Sequence, residues 1–185
     1  MKDPGGIQGL GTDRRISRFV EEVIAKTRAI DPTRTINDNC GWEHTASTDI
    51  VSVHDYDKDG SGLIARFGRL RGKAGERIAK AHREAFIDGV EYGGQPFMIT
   101  EYGGIAYRTA SADESAWGYH GVEPDEAHFL ARLKSVHKAI WSLKALQGFC
   151  YTQLTDVEQE INGLTDFHRN PKVAPEAVAR IVKGR

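Results

Sequence analysis

Residues 49–54 read Asp49-Ile50-Val51-Ser52-Val53-His54, a run dominated by β-branched apolar residues. Such a run predicts a short strand covered on both faces, which is typical of a parallel sheet flanked by helices. Three other segments have the composition of short strands: residues 34–37, 96–100 and 148–152. The sequence therefore predicts four strands.

Helical periodicity marks five segments around and between these strands. They are residues 12–30, 63–70, 76–86, 124–146 and 174–182. Thr12 or Asp13 suits the N-cap of the first helix, and Pro124 with Asp125 suits the start of the longest. We expect the apolar stripes of these two helices to be buried, including Ile16, Phe19, Val20, Val23, Ile24, Ile30 and, in the longest helix, Trp141.

The alternation of strands and helices predicts an α/β fold, because each parallel crossover needs a helix to return the chain. Four strands are half of a (β/α)8 TIM barrel, and 185 residues are fewer than the roughly 250 of a whole one. We expect residues 1–185 to form one partial barrel domain. Because half a barrel leaves unpaired edges, we also expect self-association or pairing with the missing half.

The composition excludes several classes of partner. Lys and Arg number 25 against 26 Asp and Glu, so no charge excess favours nucleic acid or an anionic membrane. No apolar run suits a signal peptide or a membrane span, which predicts a soluble, cytoplasmic chain. Cys40 and Cys150 lie in apolar or strand-like stretches, and we expect both to be buried free thiols.

Polar and aromatic residues follow each predicted strand. In a parallel α/β barrel these positions lie on one rim, which forms the active face. Amide, imidazole, carboxylate and aromatic groups together suit a neutral polyhydroxylated ligand such as a sugar. The residues concerned are Asn37, Asp38, Asn39, Trp42, Glu43, His44, His54, Asp55, Tyr56, Glu101, Tyr102, Tyr151, Thr152 and Gln153.

Four strings of residues, in order, resemble glycoside hydrolase family 2, which includes β-galactosidases, β-glucuronidases and β-mannosidases. The most specific is Phe97-Met98-Ile99-Thr100-Glu101-Tyr102-Gly103-Gly104, which is similar to the family's nucleophile strand. The others are Asp31-Pro32-Thr33-Arg34 with Gly41-Trp42-Glu43-His44, then Val53-His54-Asp55-Tyr56, then residues 148–163. The resemblance spans about residues 7–173 and implies the C-terminal half of the family's catalytic barrel, without its first half or the preceding β-sandwich domains.

What the resemblance implies is a retaining β-glycosidase of carbohydrate metabolism that acts on a β-glycoside or oligosaccharide. Glu101 matches the nucleophile, and Tyr56 matches the tyrosine beside it. Sugar-binding positions of the family match Trp42, His54, Tyr56, Tyr151 and Gln153. No metal ion or organic cofactor is implied. Trp117, Tyr119 and His120 lie in the loop after the third strand and suit either a subsite wall or a solvent-facing loop.

The chain departs from the family pattern at the acid/base glutamate, which should come shortly before Ile7. Residues 2–6 read Lys2-Asp3-Pro4-Gly5-Gly6, and Asp3 is shorter and precedes a proline, so we assign it no role. Losing general acid catalysis typically costs 10²–10⁴-fold in rate. A non-catalytic remnant with a carbohydrate-binding or scaffold role is therefore the alternative to an enzyme.

Two short motifs carry weaker hypotheses. Asn170-Pro171-Lys172 copies the Asn-x-Lys string with which family β-glucuronidases bind the substrate carboxylate, but it falls past that site, which argues against a uronate. Asp55-Tyr56-Asp57-Lys58-Asp59-Gly60 copies the start of a calcium loop. Its twelfth position is Arg66, whose positive charge argues against a calcium ion.

Overall fold

The computed structural model describes residues 6–7, 9–70, 84–109 and 115–184. The described helices are α1 (Arg14–Ile30), α2 (Ser61–Phe67), α3 (Glu126–Ser142) and α4 (Pro175–Val182). The described strands are β1 (Val51–Asp55), β2 (Phe97–Gly103), β3 (Ala106–Tyr107), β4 (Val122–Glu123) and β5 (Leu146–Thr152).

Strands β1, β2 and β5 form one sheet in that order, with β2 in the centre. Strands β3 and β4 form a second, two-stranded parallel sheet in which Ala106 pairs with Val122 and Tyr107 with Glu123. The predicted α/β class with parallel strands is confirmed. Whether the chain is half of a TIM barrel stays a prediction.

The strand predictions succeeded where the apolar run was longest. All five residues of β1 are buried, as the β-branched run predicts, and β2 and β5 contain the other two apolar segments. The predicted strand over residues 34–37 was wrong. The Ile36 amide instead donates to the Asp49 carboxylate, and the Asp49 amide donates to the Ile36 carbonyl oxygen. The segment over residues 34–37 is not part of a strand.

The helix starts agree with the predicted caps. Asp13 caps α1 by accepting from the Arg15 amide, and Asp125 caps α3 by accepting from the His128 amide. The predicted helix over residues 76–86 lies mostly outside the described residues. Its last residue, Phe86, forms an isolated parallel bridge with His44 and is not helical.

The buried stripe of α1 is narrower than predicted. Val20 and Ile24 are buried with Leu10, whereas Phe19 and Ile30 are 63% and 85% exposed. Among the described residues, apolar neighbours pack against the side of α1 that carries Ile16, Val20 and Ile24. Phe19 and Ile30 lie beside this stripe and face outward. The remaining members of this cluster are Ile16, Ile36 and Ile87.

Trp141 and the two cysteines correct the predicted core. Trp141 is 53% exposed, and its Nε1 donates to the Val182 carbonyl, so it covers the end of α4 instead of filling the interior. Cys40 and Cys150 are free thiols, as predicted, but both are exposed. Cys40 lies in the loop before β1, and Cys150 lies on β5, whose residues are less buried than those of β1.

The chain divides into two compact units. The first comprises Met1–His54, Leu70–Thr100 and Ala145–Phe149, and contains α1. The second comprises Asp55–Arg69, Glu101–Lys144 and Cys150–Arg185, and contains α2, α3 and α4. No helix among the described residues is both long enough and apolar enough to span a membrane.

Candidate active site

The second unit brings Glu101 and Tyr56 together. Glu101 lies within β2, and Tyr56 directly follows β1. The Tyr56 hydroxyl donates a short hydrogen bond to Glu101 Oε2. Burial, together with this bond to a carboxylate, raises the pKa of the Tyr56 phenol well above its ordinary value. The phenol is therefore a protonated donor to the Glu101 carboxylate throughout the neutral range.

Two residues of the loop before β4 contact Tyr56. The Tyr119 ring stacks on the Tyr56 ring with centroids 3.7 Å apart and planes within 1° of parallel. His120 Nε2 donates to the Tyr56 carbonyl oxygen at 2.6 Å. Trp117 meets the Tyr119 ring edge-on, with centroids 5.8 Å apart. The loop packs beside Tyr56, and whether it forms a subsite wall stays a prediction.

Arg132 fixes the same loop from α3. Its guanidinium donates to the Tyr119 carbonyl oxygen at 3.1 Å and to the Lys58 carbonyl oxygen at 2.6 Å. It also pairs with Glu123 at 2.9 Å and is only 7% exposed. One side chain thus ties the segment after β1 to the loop before β4. Arg132 was not predicted to have this role, although a charged residue amid the buried face of an amphipathic helix was the available signal.

Gly103 and Gly104 at the end of β2 allow the aromatic rings to approach the backbone. Both residues have positive φ, 94° and 56°. A Cβ at Gly103 would lie 2.3 Å from Tyr151 Cε2, and one at Gly104 would lie 2.4 Å from Tyr119 Cδ2. Glycine is therefore required at both positions for conformation and for space.

Tyr151 lies half-buried at the end of β5. Its ring meets Tyr102 edge-on at 5.7 Å, and Tyr102 donates its hydroxyl hydrogen bond to His137 Nε2 at 2.9 Å. The other nitrogen, His137 Nδ1, is 3.1 Å from the Leu133 carbonyl, which places the ring proton there. Burial raises the pKa of the Tyr102 and Tyr151 phenols and lowers that of the His137 imidazole, so all three side chains are neutral at pH 7.

Gln153 is held by Asn162. The Gln153 amide donates to the Asn162 carbonyl at 3.2 Å, and Gln153 Nε2 donates to Asn162 Oδ1 at 3.1 Å. Asn162 is fully buried and donates in turn to Glu160 Oε1 at 3.0 Å. Asn162 was not predicted to have this role, because no local sequence pattern joins it to Gln153.

A buried ion pair, Lys172 with Asp156, stabilises the loop that contains Asn162. Lys172 Nζ lies 2.8 Å from Asp156 Oδ1 and donates to the Ile161 carbonyl at 2.7 Å. Asp156 Oδ1 also accepts from the Gly163 amide at 2.8 Å. Burial lowers the pKa of Lys172 and raises that of Asp156, since removal from water opposes both charges. The lysine of the Asn170-Pro171-Lys172 string is thus a buried loop anchor.

The carboxylates of the calcium-like string are paired with arginine. Arg66 makes two 2.6 Å hydrogen bonds to Asp55 and one of 3.0 Å to Asp57. The guanidinium therefore takes the carboxylate oxygens that a calcium ion would need. This geometry agrees with the prediction that Arg66 argues against calcium.

Trp42 and His54 belong to the first unit. Trp42 is 1% exposed, so its ring has almost no accessible surface for a sugar. His54 is 4% exposed, and its Nε2 lies 3.1 Å from Cys40 Sγ. Their predicted sugar-binding roles stay predictions.

Comparison with known proteins finds its matches among solved structures. No protein-family model matches the chain, and no curated protein does. A family 2 β-galacturonidase from Eisenbergiella tayi superposes with a TM-score of 0.60 at 16% identity, and the match covers 95% of this chain and 31% of that one. An uncultured Clostridium sp. β-glucuronidase gives a TM-score of 0.59 at 15% identity, covering 95% and 30%. A Dictyoglomus thermophilum β-D-glucuronidase gives 0.56 at 18%, covering 95% and 29%.

These matches show the fold. Nearly the whole chain has the fold of a segment of family 2 glycosidases, so the predicted resemblance to that family is confirmed at the level of structure. The chain spans about a third of the length of these enzymes.

Proposed function

We propose that the chain carries the nucleophile side of a retaining β-glycosidase site, within the C-terminal half of a (β/α)8 barrel. The observation that carries this proposal is the hydrogen bond from the Tyr56 hydroxyl to the Glu101 carboxylate. It lies at the end of β2, where a barrel of this type would place its active face. The fold shared with family 2 glycosidases supports the same assignment.

In the proposed reaction a Glu101 carboxylate oxygen attacks the anomeric carbon of a β-glycoside. A carbon–oxygen bond to the enzyme forms, the glycosidic bond breaks, and the leaving oxygen takes a proton from a second carboxylic acid about 5 Å away. Water then hydrolyses the glycosyl ester and regenerates the Glu101 carboxylate. The residues before Gly6, including Asp3, lie outside the described part of the chain, and we assign the acid to none of them.

Tyr56 prepares Glu101 for this attack. A hydrogen bond to an ionised carboxylate stabilises the charged form and fixes the orientation of the group. Because the Tyr56 pKa is raised, the phenol does not lose its proton to the carboxylate. Tyr119, His120 and Arg132 hold Tyr56 in place from the other side.

The sugar is the open part of the proposal. Lys172 is engaged with Asp156 in the interior, which argues against its use as a ligand for a uronate carboxylate. The solved structures named above are those of a β-galacturonidase and of β-glucuronidases. A substrate panel must therefore include uronides beside galactosides and mannosides.

The decisive experiment is covalent trapping. The chain is incubated with dinitrophenyl 2-deoxy-2-fluoro-β-glycosides of galactose, mannose, glucose and glucuronic acid, followed by intact-mass measurement and peptide mapping. The good leaving group removes the need for an acid, and the fluorine slows hydrolysis of the ester. We expect one glycosyl adduct, on Glu101, with at least one sugar.

Two variants control the assignment. Glu101→Gln keeps the shape of the side chain but removes the nucleophile, so it should form no adduct. Glu126→Gln removes an exposed carboxylate at the start of α3 and should label like the native chain. Absence of an adduct from every sugar would reject the enzyme and leave the non-catalytic, carbohydrate-binding or scaffold role, which isothermal titration with the same sugars would then test.

A further inference from the structure

Cys40 and His54 form a close pair in the first unit. Cys40 Sγ lies 3.1 Å from His54 Nε2 and 3.5 Å from Thr100 Oγ1. The thiol is exposed, whereas the imidazole is only 4% exposed. An imidazole nitrogen and a hydroxyl oxygen therefore flank a sulfur atom that is exposed to solvent.

The pair is fixed by its own backbone. The Ser52 hydroxyl donates to the Asn39 carbonyl at 3.3 Å and accepts from the Gly41 amide at 2.9 Å, so it binds the chain on both sides of Cys40. Ser52 and His54 are two residues apart on β1 and point to the same face of the strand. Ser52, which binds the loop backbone, and His54, which contacts the Cys40 thiol, therefore both face this loop.

Gly41 adds a steric requirement. Its φ is 100°, and a Cβ there would lie 2.9 Å from three atoms of the His54 ring. Only glycine lets this loop close over the imidazole and place the preceding residue against Nε2. The backbone of this loop therefore fixes the contact between Cys40 Sγ and His54 Nε2.

We propose that Cys40 is an activated nucleophilic thiol and a site of covalent modification by soft carbon electrophiles, of which α,β-unsaturated carbonyl compounds are the class. The thiol proton moves to His54 Nε2, and the Thr100 hydroxyl donates to the resulting thiolate. The sulfur electron pair forms a bond to the β-carbon, the π pair moves to the α-carbon, and that carbon takes the proton back from His54. The addition needs no other reactant.

Cys150 is an internal control. It is also exposed, and its sulfur lies 4.0 Å from the Tyr151 carbonyl oxygen, which is not a base. An ordinary exposed thiol reacts no faster in a folded chain than in an unfolded one, whereas an activated thiol does. The ratio of folded to unfolded rate therefore separates activation from exposure.

The test is alkylation by acrylamide at pH 7, followed by peptide mapping at timed intervals, in buffer and in concentrated guanidinium chloride. We expect Cys40 to react about 10-fold faster in the folded chain than in the unfolded one, and Cys150 to react no faster. A folded rate for Cys40 equal to or below its unfolded rate would overturn the proposal.

Variants of the two neighbours identify the cause. His54→Gln should bring the folded rate of Cys40 down to its unfolded rate, and Thr100→Val should lower it by a smaller factor. Far-UV circular dichroism shows whether each variant keeps its fold. If Cys40 stays fast in a folded His54→Gln chain, the imidazole is not the activating base and the pair has no such role.

Discussion

The rings of Tyr119 and Tyr56 lie flat on each other, 3.7 Å apart, and the Tyr56 hydroxyl reaches Glu101. This face-to-face contact removes apolar surface of both rings from water, which contributes on the order of 1 kcal/mol. That energy restricts Tyr56 to one position beside the carboxylate. Tyr119 therefore restrains the residue that donates to Glu101.

Replacing Tyr119 tests this indirect role. Tyr119→Leu removes the stacked ring and should slow formation of the Glu101 adduct about 5-fold, since about 1 kcal/mol of the packing that orients Tyr56 is lost. Tyr119→Phe keeps the ring and should retain most of the rate. Time courses of adduct formation by mass spectrometry measure both. Equal rates for the Leu and Phe variants would mean that the stack does not position Tyr56.

Removing the Tyr56 hydroxyl should have a larger effect. A hydrogen bond to a charged group contributes about 1.5–3 kcal/mol, so Tyr56→Phe should lower the rate of adduct formation by roughly 10–100-fold. The sugar concentration at half-maximal rate should change less, because the bond goes to the nucleophile. A change confined to that concentration would assign Tyr56 to sugar binding instead.

The raised pKa of Tyr56 predicts a pH effect of definite sign. Its phenol should stay neutral in the folded chain when free tyrosine ionises near pH 10, so it contributes stability that is complete below that pH and is lost as the pH rises. Absorbance at 295 nm should show the same phenolate signal at pH 10.5 for the folded native chain and for Tyr56→Phe. In denaturant the native chain should show one phenolate more.

Breaking the Asp156–Lys172 pair should destabilise the second unit. Lys172→Met leaves a buried carboxylate unpaired and should cost about 3–5 kcal/mol in the free energy of unfolding. Asp156→Asn in the same chain should recover part of that loss, because no buried charge is then left. Urea unfolding followed by tryptophan fluorescence measures both. A double variant no more stable than Lys172→Met would show that the lysine acts mainly through the Ile161 carbonyl.

Arg66 and Asp55 make a second stability prediction. Arg66→Met removes the guanidinium that pairs with the Asp55 carboxylate, which is 3% exposed, and should cost about 2–4 kcal/mol. Arg69→Met changes an exposed arginine one turn away and should stay within about 0.5 kcal/mol of the native chain. Calorimetric titration of the native chain with calcium should give no binding heat, and a measurable heat would contradict the assignment of these carboxylates to Arg66.

Local patterns were sufficient to predict the elements on which the site stands. Asp13 and Asp125 mark the starts of α1 and α3 because an N-cap acts within three residues of itself. The β-branched run over residues 49–54 likewise predicts β1 without reference to any distant segment. Glu101 and Tyr56 were paired through resemblance to a family, and the structure brings them into contact.

Contacts between distant segments were beyond the reach of the sequence. Trp42 is buried although it lies in a polar loop, and Trp141 is exposed although it lies on the apolar stripe of a helix, so their burial depends on which surfaces meet. The stack of Tyr119 on Tyr56 joins residues 63 positions apart. Such contacts are decided by side-chain volume and hydrogen-bond partners in three dimensions, so they follow from the tertiary structure, whereas periodicity and capping follow from the covalent chain.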